Sequence, residues 1–338
     1  CHFPGASVGS FSDAPPSDCE YSSNTAGAGY DPNFVMRIPV VWHVIERNNG
    51  TGNIPDQDII DQMTTMNDSF RPTVGAMGND SGIEFYLATE DPTGMPTSGI
   101  EHVTNNTWFN DSGNYASQLA WDTNRYLNIY TLNPGGAIGY VPDLPQGGIV
   151  GSTNDGVRML HTAINSSQYP HVISHEIGHH LGLYHTFGIS SSCQNTDCQT
   201  QGDLICDTNP HQFPTNTCTG NPGNCGGQPV PRNNFMNYQD VACVFEFTPG
   251  QIQRMRCTLE HWRPAIWDTP TIGAAYCAVV ANSTGLAGAL SADGSSNAAL
   301  NDVTLSAMNL PPTAFGFFLV SQMQGFTQGP GGSSGNLC

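Results

Sequence analysis

Hydrophobic residues in the first part of the chain follow the two periodicities of strands and helices. Residues Phe34–Glu46 are almost all apolar or β-branched, which predicts a buried strand. Within residues 55–70, apolar side chains recur three or four positions apart, at Ile59, Met63, Met66 and Phe70. This spacing predicts a helix that turns one stripe toward a core, and it makes the two methionines core residues rather than metal ligands.

Shorter elements continue the pattern along the chain. Residues Ile83–Ala88 and Tyr126–Leu132 predict two strands, and Gly156–Leu160 predicts an edge strand. Residues 134–151 are dense in glycine and proline, and a further helix opens near Pro170. Strands that alternate with helices predict an α/β (α+β) arrangement, in which helices support a mixed sheet.

A last helix is followed by a change of composition. Thr248 is placed as a helix N-cap, with Pro249 in the first turn and Gln251 closing a capping box. Residues 270–338 then contain no arginine and no histidine, and alternating runs such as "DVTLSAM" and "FGFFLVSQ" predict a small β-sandwich. We therefore predict three parts: an irregular leader or propeptide remnant (1–30), a main domain (31–268) and a C-terminal all-β module (269–338).

The stretch "HVISHEIGHHLGLYH", residues 171–185, holds five of the 11 histidines. On a helix, His175 and His179 lie one turn apart on the same face, so both imidazoles reach one point. Gly182 accepts a left-handed backbone, so the chain turns back there and His185 arrives as a third ligand. Three imidazoles with an open fourth position are typical of catalytic zinc.

Glu176 follows the first of these ligands and is placed to take a proton from water rather than to bind metal. Zinc lowers the pKa of a bound water to about 7, so hydroxide is available at neutral pH. His180 lies about 140° round the helix from His175. We expect His180 and His171 to be ordinary neighbouring or surface residues. The alternative for the whole motif is that its histidines only pack against a helix or cap it.

Composition limits the partners and the compartment. The 338 residues include 28 acidic and 9 basic ones, which gives a net charge of −19, and no lysine occurs. Such a surface repels nucleic acid and anionic membranes, so we expect neither as a partner. No apolar run reaches the ~18 residues of a transmembrane segment. The start "CHFPGASVGS" lacks the features of a signal peptide, so we expect a secreted protein in processed form.

Eleven cysteines, most of them within residues 193–257, fit the same environment. Their spacing is not that of a CxxC…CxxC zinc site, so we expect disulfides formed in an oxidising compartment. Cys277 and Cys338 nearly bracket the C-terminal module and are predicted to close it. Because the count is odd, at least one cysteine is free, modified or paired outside this chain. For Cys1 the hypotheses are a disulfide, a trimming artefact, or a lipid as in bacterial lipoproteins. A separate hypothesis is that a leader cysteine (Cys1 or Cys19) caps zinc as a thiolate in a latent precursor.

Four segments together resemble the pappalysins, a branch of the metzincin metallopeptidases. They are "IPVVWHVIERNNGTGNIPDQDIIDQMTTMNDSF", "HEIGHHLGLYHTF", "GDLICDTNP" and "NFMNYQDVACVFEFTPGQIQRM". The resemblance runs from about Phe34 to Trp267. It implies a metzincin-like zinc metallopeptidase domain with a twisted mixed sheet, a backing helix and a zinc helix. It also implies an irregular lower part that ends in a helix, with the substrate cleft across the zinc.

The resemblance also gives roles to residues outside the histidine motif. It implies that Met236 forms an apolar floor beneath the zinc. It implies that the Tyr238 hydroxyl steadies an oxyanion, which a phenol near zinc does by donating a hydrogen bond. Asp203 and Thr208 match oxygen ligands of the family's calcium loop; the alternative is an Asp-rich turn without metal. Relatives that cut beside arginine or lysine carry an acid where this chain has Val241, so the chain departs from the pattern for basic preference.

The function expected from the sequence is that of a secreted zinc endopeptidase with Zn²⁺ and Ca²⁺ as cofactors and a protein or peptide as substrate. Glu176 is expected to activate the water that attacks the peptide carbonyl. Two alternatives stay open: a non-catalytic adhesion or assembly protein on the same scaffold, and a zinc hydrolase that cleaves another bond. The C-terminal module is expected to serve attachment, for instance to a bacterial cell surface, or interaction.

Overall fold

The structure is a computed structural model, and it divides the chain into two compact units, residues 1–268 and 269–338. It describes residues 17–73, 75–188, 193, 196–214, 217–221, 223–238, 243–269, 285, 288–293, 303–310, 327–328 and 336–337. In the second unit, the described residues form two antiparallel strand pairs: Ala289–Asp293 with Thr304–Met308, and Thr327–Gln328 with Asn336–Leu337. The predicted run "FGFFLVSQ" lies outside the described residues.

A six-stranded mixed sheet is the framework of the first unit. Its strands are β1 (Met36–Glu46), β2 (Ile83–Leu87), β3 (Ile100–Thr104), β4 (Leu127–Leu132), β5 (Gly139–Tyr140) and β6 (Val157–Leu160). Their order is β2-β1-β4-β6-β5, and β3 pairs with the second half of β1. All pairs are parallel except β5 with β6. The predicted mixed sheet is confirmed.

The prediction that Gly156–Leu160 forms an edge strand is wrong. The corresponding strand β6 pairs with β4 on one side and with β5 on the other, so it lies inside the sheet. The edge belongs to β5, which has only two residues and lies in the segment dense in glycine and proline. Two residues are too few to show a period, so hydrophobic patterning could not find this strand.

Among the described residues, five α-helices accompany the sheet: α1 (Asp56–Phe70), α2 (Asn106–Phe109), α3 (Tyr115–Leu119), α4 (Val172–His180) and α5 (Pro249–His261). The apolar stripe of α1 is buried as predicted, and it joins the main core with α4 and α5. The capping box predicted for α5 is present, because the Thr248 side chain accepts from the Gln251 backbone and the Gln251 side chain accepts from the Thr248 backbone. Apolar residues of α1, α4 and α5 therefore share one core with the sheet.

The described part of the leader is attached to the rest of the first unit. Cys19 is buried and forms a disulfide with Cys257 in α5. The Arg254 guanidinium, also in α5, donates to the backbone carbonyls of Glu20 and Ser23. The hypothesis that Cys19 caps zinc as a thiolate is wrong for this structure, because its sulfur is already bonded. Cys1 lies outside the described residues.

In the described part of the chain, three more disulfides cross-link the irregular segment between α4 and α5. They join Cys193 to Cys225, Cys198 to Cys206, and Cys218 to Cys243. The prediction of disulfides is confirmed, and a long segment with little secondary structure is held by them. The predicted pair Cys277–Cys338 lies outside the described residues and stays a prediction.

A buried ion pair ties the end of α4 to the chain beyond α5. Arg263 donates to the two oxygens of Asp155 at 2.6 and 2.8 Å, and to the backbone carbonyl of His180 at 3.1 Å. Both charged residues are almost fully buried. Because a buried charge is costly unless it is paired, each of these residues depends on the other. The His180 ring is buried beside this pair, so its role is structural.

Candidate metal centre and active site

Three imidazoles converge at the end of the zinc helix α4. His175 and His179 lie one turn apart, and their Nε2 atoms are 3.1 Å from each other. The Nε2 atom of His185 lies 3.1 Å from that of His179 and 3.2 Å from that of His175. Among the residues that the structure describes, this is the only group of three or more potential metal ligands. The predicted ligands are therefore brought together.

The turn after α4 returns the chain to the metal site. Gly182 has a φ of +90°, a conformation that L side chains rarely adopt. A Cβ atom at this position would lie 2.6 Å from both the Gln146 amide nitrogen and the Thr258 hydroxyl. Both the backbone and the packing thus require glycine here. The reversal brings His185 back toward the helix that carries the other two ligands.

The hydrogen bonds of the two helical histidines decide which ring nitrogen carries the proton. The Nδ1 atom of His175 donates to the Phe235 carbonyl at 2.6 Å, and that of His179 to the Leu183 carbonyl at 2.8 Å. Because a carbonyl only accepts, both Nε2 atoms are left with lone pairs. Burial lowers the pKa of His175 well below its usual range and that of His179 to about 4, so both rings are neutral.

This donor set fits zinc. Two lone pairs that face each other at 3.1 Å repel unless a cation lies between them. Zn–N bonds of about 2.0–2.1 Å place tetrahedral ligands roughly 3.3 Å apart, close to the three separations found here. Burial also lowers the pKa of His185 to about 3. Neutral imidazoles are the form in which histidine binds metal.

Glu176 is adjacent to the first ligand and is almost fully buried. Burial raises the pKa of its carboxyl to about 8, and a bound dication would lower it again by stabilising the carboxylate. Strand β5 lies directly against this side chain. A Cβ atom at Gly139 would be 2.7 Å from Glu176 Cγ and 3.0 Å from Oε1. The glycine therefore leaves the room that the carboxylate occupies.

Met236 packs against helix α4, and Tyr238 lies beside two of the three imidazoles. Met236 is fully buried, and its Sδ atom would be 2.3 Å from a Cβ atom added at Gly178 in α4. The methionine thus packs against the helix that carries two ligands. Tyr238 is 46% exposed, and its ring centroid lies 5.5 Å from that of His175 and 4.9 Å from that of His185. Its hydroxyl belongs to the cleft rather than to the core.

The substitution Gly178→Ala is expected to destabilise the chain by about 1–3 kcal/mol, because the new methyl group overpacks the contact with Met236. In an ordinary helix the same change stabilises by up to ~1 kcal/mol, so the sign is diagnostic. Thermal unfolding measures the effect. The control is Gly29→Ala, where a Cβ atom meets nothing within 4 Å. A Gly178→Ala chain as stable as wild type would show that the contact does not constrain the helix.

The cleft beside these residues is bordered by β5. Gly139, Tyr140, Glu176, the three ligands and Tyr238 all line it. The Tyr140 hydroxyl donates to an Asp111 carboxylate oxygen at 2.8 Å, and the Tyr115 hydroxyl donates to the other oxygen at 2.6 Å. Asp111 therefore links Tyr140 in edge strand β5 to Tyr115 in helix α3. These three residues form a hydrogen-bonded clamp on the strand. Sequence analysis missed this clamp, because its three residues share no motif.

The residues matched to a calcium loop also meet in space. The Thr208 hydroxyl lies 2.8 and 2.7 Å from the two Asp203 oxygens, and both residues are buried. Burial raises the pKa of Asp203 to about 7. A buried carboxylate with few donors is a site that a cation would stabilise. Val241, the position that departs from the basic-preference pattern, lies outside the described residues.

Known proteins are similar to this chain in sequence and in fold. Residues 110–260 match the family model described as pregnancy-associated plasma protein-A. An extracellular metalloprotease of Colletotrichum graminicola is 30% identical over 258 residues, which are 72% of this chain and 83% of the relative. The chain belongs to the pappalysin family of metallopeptidases. Human pappalysin-1 is 42% identical over 116 residues, or 29% of this chain and 7% of that protein.

The solved structures support the same family assignment. Mature mirolysin of Tannerella forsythia, in complex with a cleaved peptide, has a TM-score of 0.57 and 30% identity; the match covers 69% of this chain and 95% of that one. This pappalysin is therefore a secreted zinc metalloendopeptidase with a metzincin fold. No helix in the described part of the chain has the length and hydropathy needed to cross a membrane.

Proposed function

We propose that this pappalysin hydrolyses peptide bonds at the centre formed by His175, His179 and His185, with Glu176 as the general base. The observation that supports this most strongly is the convergence of three Nε2 atoms within 3.2 Å in a cleft that the buried Glu176 also lines. Zinc at the three imidazoles supplies a Lewis acid and lowers the pKa of water. The remaining chemistry comes from the side chains of the chain.

Glu176 accepts a proton from the attacking water and passes it to the leaving amine. It is suited to both steps, since burial and a nearby cation shift the pKa of its carboxyl in opposite directions. The Tyr238 hydroxyl donates a hydrogen bond to the oxyanion that develops at the scissile carbonyl. Met236 supports the ligand helix from below and takes no part in proton transfer.

The substrate is a protein or peptide that binds along β5. Among the described residues, no further strand pairs with the outer edge of β5, and both residues of this strand line the cleft. An extended peptide binds such an edge by adding as a further strand. The mirolysin structure contains a cleaved peptide. The net charge of −19 argues against nucleic acid as a substrate.

An assay with quenched fluorescent peptides tests this function. The zinc-loaded chain is expected to cleave internal peptide bonds, to stop after chelation and to resume when Zn²⁺ is restored. A chain that binds zinc but leaves every peptide of a diverse library intact would instead be the non-catalytic adhesion or assembly protein, which the comparisons do not support. Hydrolysis of esters or phosphodiesters without peptide cleavage would point to the other alternative, a hydrolase of non-peptide bonds.

We also propose that Asp203 and Thr208 bind Ca²⁺. Support comes from the buried carboxylate, whose charge has only a few donors around it. Calcium is then expected to raise the Tm of the zinc-loaded chain, and the Asp203→Asn variant should lose most of this gain. The measurement is thermal unfolding with 1–10-fold excess Ca²⁺ or with Mg²⁺ as the control. An unchanged Tm with Ca²⁺ would contradict the proposal and favour the alternative, an Asp-rich turn that binds no metal.

For residues 269–338 we propose attachment to a surface or interaction, with a bacterial cell as the surface in question. The described strand pairs contain no group of metal ligands, and the segment has no histidine or arginine. Binding of the labelled chain to intact bacterial cells, with and without these residues, tests the proposal. Equal binding by both forms would contradict it.

A further inference from the structure

The three candidate zinc ligands differ in how their rings are oriented. Those of His175 and His179 are held by backbone carbonyls that accept from Nδ1. In the described part of the chain, no acceptor bonds to Nδ1 of His185. A metal-binding histidine nearly always donates its second N–H to such a partner, which fixes the plane of the ring. The third ligand therefore needs another source of orientation.

The phenyl ring of Phe187 stacks on the imidazole of His185. The two ring centroids are 4.6 Å apart, and the ring planes differ by only 15°. This is the parallel arrangement that aromatic pairs favour when they are offset. A parallel neighbour resists rotation of the imidazole about its Cβ–Cγ bond, because rotation would drive the ring edge into the phenyl face. The Nε2 atom is thereby kept pointing at the other two ligands.

The same phenyl ring contacts Tyr238. The two centroids are 5.3 Å apart with planes at 66°, an edge-to-face contact. Tyr238 in turn meets the His185 ring at 4.9 Å and 73°. The three rings of His185, Phe187 and Tyr238 thus contact one another pairwise. One apolar side chain touches both a candidate metal ligand and the candidate oxyanion donor.

Thr186, between the ligand and the phenylalanine, anchors their backbone. Its N–H donates to the Met236 carbonyl at 3.1 Å, and its hydroxyl lies 2.9 Å from His211 Nε2. The other His211 nitrogen, Nδ1, donates to the Phe213 carbonyl at 3.0 Å, so Nε2 must accept from the threonine hydroxyl. Thr186 and His211 are both buried. The backbone that carries Phe187 is therefore fixed at the residue before it.

We propose that Phe187 is a positioning residue for His185, the third zinc ligand. The stacked phenyl ring takes the place of the hydrogen-bond acceptor that the Nδ1 atom of His185 does not have among the described residues. The proposal rests on the assignment of His185 as a ligand. It predicts that the planar face of the side chain matters, and not only its apolar volume. Leucine fills much of the same space without a face, whereas tyrosine keeps the face.

Metal affinity of the full chain tests the proposal. The Phe187→Leu variant is expected to bind Zn²⁺ about 10-fold more weakly than wild type, in the range found when a group that orients a ligand is lost. Phe187→Tyr should bind as tightly as wild type. Competition with a chromophoric chelator gives the dissociation constants. The visible spectrum of the Co²⁺-substituted chain should change for Phe187→Leu and be retained for Phe187→Tyr, since it reports ligand geometry.

Two further variants separate the possible outcomes. Phe213→Leu is the matched control, because this phenylalanine belongs to the same irregular segment, is 47% exposed and makes no ring contact with a ligand. His185→Ala tests the ligand assignment itself. If His185→Ala loses zinc but Phe187→Leu keeps wild-type affinity and spectrum, the positioning role is wrong and the ligand set stands. If His185→Ala also keeps zinc, the proposed metal centre fails.

Discussion

Replacing Glu176 by alanine is expected to lower kcat/KM for peptide cleavage by about 10²- to 10⁴-fold, the contribution typical of a general base. Zinc should remain bound, because the three imidazoles are untouched and the carboxylate is not among the converging ligand atoms. The loss should appear mainly in kcat, since the carboxylate acts on the water and on the leaving amine rather than on the bound peptide. Steady-state kinetics with one quenched peptide give both parameters.

The control for this variant is Glu90→Ala, which removes an exposed glutamate elsewhere on the surface. Its kcat/KM should equal that of wild type. The zinc content of both variants must be determined by elemental mass spectrometry. This separates a loss of catalytic activity from a loss of bound zinc. A Glu176→Ala chain that holds zinc and still cleaves at the wild-type rate would remove Glu176 from the mechanism.

The His179→Ala variant is expected to bind zinc more than about 100-fold more weakly, since loss of a direct ligand exceeds the 10–100-fold effect of losing a group that only orients one. Peptide cleavage should fall to the background at submicromolar free Zn²⁺. The change also frees the Leu183 carbonyl, which accepts from the His179 ring at 2.8 Å. Chelator competition measures the zinc dissociation constant, and kinetics at buffered Zn²⁺ measure activity.

An exposed histidine serves as the comparison. His102 pairs with Asp56 on the surface at 2.8 Å, and its side chain is 37% exposed. The variant His102→Ala should keep both zinc affinity and kcat/KM. Wild-type zinc affinity in the His179→Ala chain would show that the metal, if bound, is held elsewhere.

Sequence analysis was most successful where the signal is local. Strand β1 and helices α1 and α5 follow from long apolar patterns and a capping box, each contained within a single stretch of chain. The convergence of His175, His179 and His185 follows from helix geometry and from one turn at a glycine. All of these features depend on residues that lie close together in the sequence, within about the length of four helical turns.

The rest of the site depends on contacts between distant residues, which leave no periodic signal. The carbonyl that orients His175 belongs to Phe235, 60 positions away along the chain. Edge strand β5 is recognised only from its pairing with β6. The disulfide partners follow from how the loops fold around α5, so spacing could not predict that Cys19 joins Cys257. The contact between Phe187 and His185 could have been considered from the sequence, because the aromatic residue lies only two positions after the third ligand.

A crystal structure of the zinc-loaded chain, with anomalous data collected on both sides of the zinc absorption edge, tests the metal centre most directly. A single strong peak is expected at bonding distance, about 2.0–2.1 Å, from Nε2 of His175, His179 and His185, with no fourth protein ligand. Absence of the peak, or a fourth side chain that closes the coordination sphere, would contradict a catalytic zinc site at these three residues.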